Sequence, residues 1–201
     1  MDPVRTASRD VAHALARCCR KFEHLEHLSA AFLVDATDFL PAMLDPRSTK
    51  ARWCRLASLT LTSRQLTPGR AAEDINELFV WGARAAGWLP QLRVLELWNG
   101  GRGVASVFRY RAQNGVPAAA GEPARASILW RATFRVALED RVVRAWKRVA
   151  SAWRPCELLV VVEELDSALV RSHGDAIPLL GFEHDVVEPV SLEQIQWENR
   201  F

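Results

Sequence analysis

The sequence predicts an α/β protein, a leucine-rich-repeat-like partial solenoid of the ribonuclease-inhibitor type, with a mostly parallel sheet and an inserted β-hairpin. Two observations predict it. Leu56, Leu59 and Leu61 recur as Leu92, Leu95 and Leu97, so one Leu-x-x-Leu-x-Leu strand pattern occurs twice. Between the copies, Ile75, Leu78, Phe79, Gly82, Ala86 and Leu89 share one helical face, the apolar stripe of a helix packed on one side. The 201 residues suit one core, so a single domain over 1–201 is expected.

In order along the chain, Asp2-Pro3 reads as a helix start. Val11, Leu15, Cys18 and Phe22 step by helical spacing into a stripe. Leu25-x-x-Leu28 opens a worn first copy of the repeat, which turns helical near Asp35. The leucine starts at 25, 56 and 92 leave room for a full helix in each turn. Thr67-Pro68 offers a cap and a first-turn proline. Trp81 and Trp88 lie off the core stripe of the helix that follows, as packing for a neighbour or as an exposed anchor.

After the turn at Trp98–Gly101, residues 104–112 and 127–136 read as two strands of a long hairpin around the Gly-, Pro- and Ala-rich loop 113–126. Leu138, Val142, Ala145, Trp146, Val149 and Trp153 form another helical stripe, backed by Arg141, Arg144, Lys147 and Arg148. The run CELLVVVEE, 156–164, is the most apolar strand, and such runs are expected to be covered on both faces. Pro178 is expected to interrupt any helix nearby. Ser191-Leu-Glu-Gln194 reads as a capping box for a last helix.

Period-two alternation sets Ser58, Thr60 and Thr62 beside Val94, Glu96 and Trp98, with His27 and Ser29 extending the row. In a solenoid these side chains line the open face. The expected binding face is therefore Ser58, Thr60, Thr62, Glu96 and Trp98, weighed against a solvated, unused face.

Other constellations are weaker. Glu163, Glu164 and Asp166 close a strand, where α/β sheets hold active-site carboxylates, so a small hydrolase or transferase is the alternative. Ser172-His173-Gly174-Asp175 holds nucleophile, base and acid side by side, but no GxSxG elbow exists and a helix cap is the plainer role. Cys18, Cys19, His24 and His27 do not close a tetrahedron for zinc. The GxG at 101–103 lacks a third glycine and a following helix. No catalytic residue, cofactor or metal is expected.

Net charge is +2, but 155–201 carry ten acidic residues against two arginines, a net −8, so 1–154 carry +10. No RNP, zinc-finger or homeodomain signature accompanies the arginines, which argues against nucleic acid. No stretch of about 18 apolar residues predicts a membrane span, and no apolar leader segment precedes the first helix. Four scattered cysteines fit a reduced intracellular compartment, cytoplasmic or nuclear.

Several phrases resemble an uncharacterised fungal family of proteins that often carry an F-box ahead of a leucine-rich-repeat-like region. They are LASLTLTSRQLTP (56–68), EDINELFVWGARAAGWLPQL (73–92), ELWNG (96–100) with FRYR (108–111), ILWRATF (128–134), and VVEELDSALVRSHGDAIPLLG with VEPVSLEQIQWEN (161–199). The resemblance implies a repeat fold and substrate recognition in ubiquitin ligation. An F-box would need about 40–50 helical residues before the repeats, and only a short helix over 3–22 is read there. The expectation is a non-enzymatic interaction domain that holds a protein or peptide, of unknown oligomeric state.

Overall fold

The computed structural model describes residues 3–19, 21–45, 53–112, 124–152, 156–184, 186–187 and 189–198. In chain order the elements are α1 (Pro3–Cys19), β1 (His27–Ser29), α2 (Ala36–Met43), β2 (Ser58–Thr62), α3 (Ala72–Ala86), β3 (Val94–Gly101), β4 (Val104–Ala112), β5 (Ala124–Ala132), α4 (Asp140–Ala150), β6 (Cys156–Glu164), α5 (His173–Leu180) and α6 (Pro189–Glu198). All six strands form one sheet in sequence order.

The pairs β1–β2, β2–β3 and β5–β6 are parallel, whereas β3–β4 and β4–β5 are antiparallel. Five strands therefore point one way and β4 alone points back. This overturns the leucine-rich-repeat-like solenoid. A repeat solenoid adds parallel rungs, but here only Arg102 and Gly103 separate β3 from β4, and Gly103 takes φ 72°, a left-handed value open to glycine. So short a turn returns the chain beside β3 and leaves no room for a crossover helix. The hairpin β4–β5 forms, with Phe108 opposite Trp130, but β5 runs over Ala124–Ala132 and not 127–136, and the hairpin lies inside the sheet and is not an insertion.

The predicted register holds in β1–β3. His27, Ser58 and Val94 lie in one row, followed by Ser29, Thr60 and Glu96, then Thr62 beside Trp98. The leucines face helices α1–α4 and build the larger core. The α3 stripe is buried as read: Ile75, Leu78, Phe79, Gly82, Ala86 and Leu89. A Cβ at Gly82 would stand 3.3 Å from the Trp146 ring, so this glycine lets α4 close on α3. The Trp146 indole N–H donates to the Phe79 carbonyl at 3.1 Å. Phe79 stacks on Phe108 with ring centres 4.1 Å apart, and Tyr110 stacks on Trp146 at 4.7 Å.

Several local expectations are corrected. In α1 the buried line is Ala12, Ala16 and Cys19, while Val11, Cys18 and Phe22 are exposed. Small residues let α1 approach α2 closely, one position out of phase with the larger side chains. Thr67-Pro68 precedes α3 by a full turn, since the helix begins at Ala72. Ser191 lies inside α6 and not at its cap. Pro178 sits within α5, two residues before its end, so little helix follows for it to break. Asp2 and Trp153 lie outside the described residues.

The largest correction on this side of the molecule concerns β6. It is the sheet's edge, covered only at its start, and Leu159 and Val162 are each 61% exposed. A covered strand needs helices on both faces. Here α4 reaches Cys156 and Leu158, while Val160 and Val162 lie beyond the core.

Tyr110 is the single tyrosine. Burial, and then the Cys156 thiol nearby, push its phenol up to about 12. The folded state thus holds this proton more tightly than the unfolded chain, where a tyrosine titrates near ~10. Its contribution to stability is complete below ~10 and is lost as pH rises towards about 12. Absorbance at 295 nm should show no tyrosinate in the native protein until pH approaches 12. A native tyrosinate transition near pH 10 would place Tyr110 in water.

Candidate functional site

The face expected to bind a ligand is roofed over. Ser58, Thr60, Thr62, Glu96 and Trp98 are all buried, Glu96 and Trp98 completely. The roof is built from the chain between Leu165 and Phe182, with Val186, Val187 and Leu192 packed against it. Val170, Ala176, Ile177 and Leu180 pack with Trp98, Ala105 and Val107 into a second core. The Trp98 ring meets Phe182 and Phe32 edge-on, with ring centres 5.0 and 5.2 Å away. A Cβ at Gly100 would stand 2.9 Å from the Ala176 Cβ, so α5 rests directly on bare β3 backbone. The register follows the alternation in the sequence, but the face is closed: α5 is too short, and its sheet partners too distant in sequence, for periodicity to place it.

A buried charge network locks this roof. Glu96 Oε1 accepts from Arg109 Nε at 2.6 Å and from the Glu183 amide at 3.4 Å. Glu96 Oε2 accepts from Thr60 Oγ1 at 3.1 Å. Arg109 Nη2 donates to the carbonyls of Leu180 (3.2 Å) and Gly181 (2.6 Å). Arg131 Nη1 donates to Leu179 and Leu180, and its Nε to Glu163 at 2.6 Å. Two arginines from the sheet therefore satisfy the last carbonyls of α5, where a cation also meets the negative end of the helix dipole. Gly181 closes α5 with φ 60°. At the other end, Ser172 is the N-cap, accepting from the Asp175 amide, and Asp175 accepts from the Arg171 amide. Ser172 and Asp175 are a helix cap and not half a triad.

The remaining candidates are dispersed. Glu163 pairs with Arg131 and Glu164 with Arg135, on opposite faces of β6, while Asp166 caps the turn at Ala168. His173 lies against Phe32 at the far end of α5. Arg141 is held by Glu139, Glu77 and the Glu73 carbonyl, and these carboxylates hold its guanidinium above the usual arginine range. Arg144, Lys147 and Arg148 are exposed on α4. Burial, and then Cys18 beside it, push the Cys19 thiol up, which disfavours a metal-binding thiolate. Among the described residues no group of three or more His, Cys, Asp or Glu is placed to hold a metal ion.

Two surfaces stand out among the described residues. One is the free edge of β6. The other is a groove of about 640 Å³ at the amino ends of β1, β2 and β3, lined by Glu26, His27, Arg55, Arg93, Glu183 and His184 among others. The sequence named His27 at its rim but gave no sign of the groove, since its far wall is 183–184.

A family model described as a family of unknown function, DUF6546, matches residues 1–188. The chain belongs to this family. No curated protein and no solved structure matches it. In this DUF6546 chain the matched residues take in the whole sheet, the roof helix α5 and both walls of the groove. The family description names neither an F-box nor a leucine-rich repeat.

Arg109→Met leaves Glu96 buried without its counter-ion and should cost about 3–5 kcal/mol. Adding Glu96→Leu should recover part of that loss, because both charges then go together. Urea unfolding of the two variants and the parent measures this. An Arg109→Met variant as stable as the parent would show that the roof does not depend on the pair.

Proposed function

We propose that this chain is a non-enzymatic protein-interaction domain whose contact surface is the free edge of β6. The observation that carries the proposal is the contrast between the two edges of the sheet. The β1 edge is three residues long, with exposed His27 and Ser29. The β6 edge is nine residues long and leaves Leu159, Val160 and Val162 exposed. Long apolar edges template further strands, and proteins that do not use them shorten, twist or charge them. Pairing an extended segment here would satisfy the free backbone groups and cover apolar side chains on both faces.

The occupant we favour is an extended, β-branched segment of another protein. Glu163 and Glu164 are already neutralised by Arg131 and Arg135. Glu157 has no ion-pair partner among the described residues, so a basic side chain near the start of β6 fits the segment. The resemblance to F-box-bearing proteins gives such binding a setting, the recognition of a substrate for ubiquitin ligation. Among the described residues no helix is long and apolar enough to cross a membrane.

Val160→Lys with Val162→Lys tests the reading, using a partner recovered from host extract and then purified. Both side chains are exposed, so stability should change by no more than about 0.5 kcal/mol, while binding of the purified partner should be lost. Undiminished binding would rule the edge out. A wild-type self-complex that the lysines split would name a second copy as the occupant and overturn the partner reading.

A further inference from the structure

We propose that the groove at the amino ends of β1–β3, remote from β6, binds a small phosphate monoester that also carries a hydroxyl or ammonium group. Three adjacent strands build its floor. The Ala57 amide donates to the Glu26 carbonyl and the Arg93 amide to the Ala57 carbonyl, both at 2.7 Å, so Glu26, Ala57 and Arg93 stand in one row. Ala57, with only a methyl group, keeps the floor low between a carboxylate and a guanidinium. Strand spacing of about 4.8 Å sets those two roughly 10 Å apart at the backbone.

The charges around the floor are unevenly committed. Glu183 is taken by Arg111. Arg55 and Arg93 are exposed and have no ion-pair partner among the described residues. His27 and His184 meet edge to face, ring centres 4.6 Å apart, one from the sheet and one from the chain after α5. Among the described residues the groove thus offers two guanidiniums and one carboxylate, Glu26, without an ion-pair partner, together with two imidazoles. Two guanidiniums suit a dianion that can accept paired hydrogen bonds, which is phosphate chemistry. Glu26 opposes a bare anion but accepts from a hydroxyl or an ammonium group, so it selects a ligand with a polar donor beside the phosphate. A volume of about 640 Å³ suits a small molecule.

Cys54, an exposed thiol in the groove wall, supplies a readout independent of heat. The full chain is titrated calorimetrically with inorganic phosphate, phosphoethanolamine and malonate, and alkylation of Cys54 is followed by peptide mapping. Phosphoethanolamine should bind more tightly than inorganic phosphate and slow alkylation of Cys54 but not of exposed Cys18. Arg55→Ala and Arg93→Ala should each weaken both phosphates by about tenfold or more. Glu26→Gln should weaken phosphoethanolamine alone. The proposal is overturned if millimolar phosphoethanolamine neither binds nor protects Cys54, if Arg93→Ala leaves binding unchanged, or if malonate binds as well as the phosphates.

Discussion

The Glu96–Arg109 pair is the constraint on which the architecture turns. Glu96 is wholly buried and Arg109 nearly so, so each must be met inside the protein or carry a desolvation cost of several kcal/mol. Glu96 is met by Arg109 and by Thr60; Arg109 is met by Glu96 and by the end of α5. The pair therefore completes its hydrogen bonds only when the C-terminal chain lies across the sheet. What looks like a short helix laid on a sheet is held by charge at its end and by Trp98 along its length.

That roof changes what the sheet can do. A sheet with helices on one face and polar residues on the other would present the second face to a ligand. Here the hydroxyl row of β2 and the Glu96–Trp98 stretch of β3 are interior, and binding chemistry moves to the margins. One margin is the β6 edge, where α4 and α5 both fall short. The other is the mouth where β1–β3 begin and the chain leaving α5 arrives with Glu183 and His184.

Much of this was legible in the residues, and the failures have causes. The alternation in SLTLT and VLELW gave the register of β1–β3, and the 3.6-residue period of α3 gave its buried face. The β4–β5 hairpin was also readable. The solenoid reading failed because the Leu-x-x-Leu-x-Leu pattern reports only which face of a strand is buried, not what the following strand does. Arg102–Gly103 held the missing information. A two-residue turn there pairs Gly101 with Val104 and, counting back, Glu96 with Arg109, two opposite charges facing each other inside apolar strands. β6 was misjudged because an apolar run records a need for cover without saying whether this chain supplies it. The phase of α1 was misread because Ala12 and Ala16 carry less apolar weight than Val11 and Phe22, although close helix contact favours the smaller side chains.

Amide hydrogen exchange over 172–184 tests the central claim most directly. With the roof seated on Trp98 and tied to Glu96 and Arg109, amides in α5 and that of Glu183 should exchange about as slowly as those of β3 and β4, opening only when the sheet itself opens. Exchange of this segment within seconds, while β3 stays protected, would show the C-terminal chain lifting freely and the Ser58–Trp98 face open to solvent.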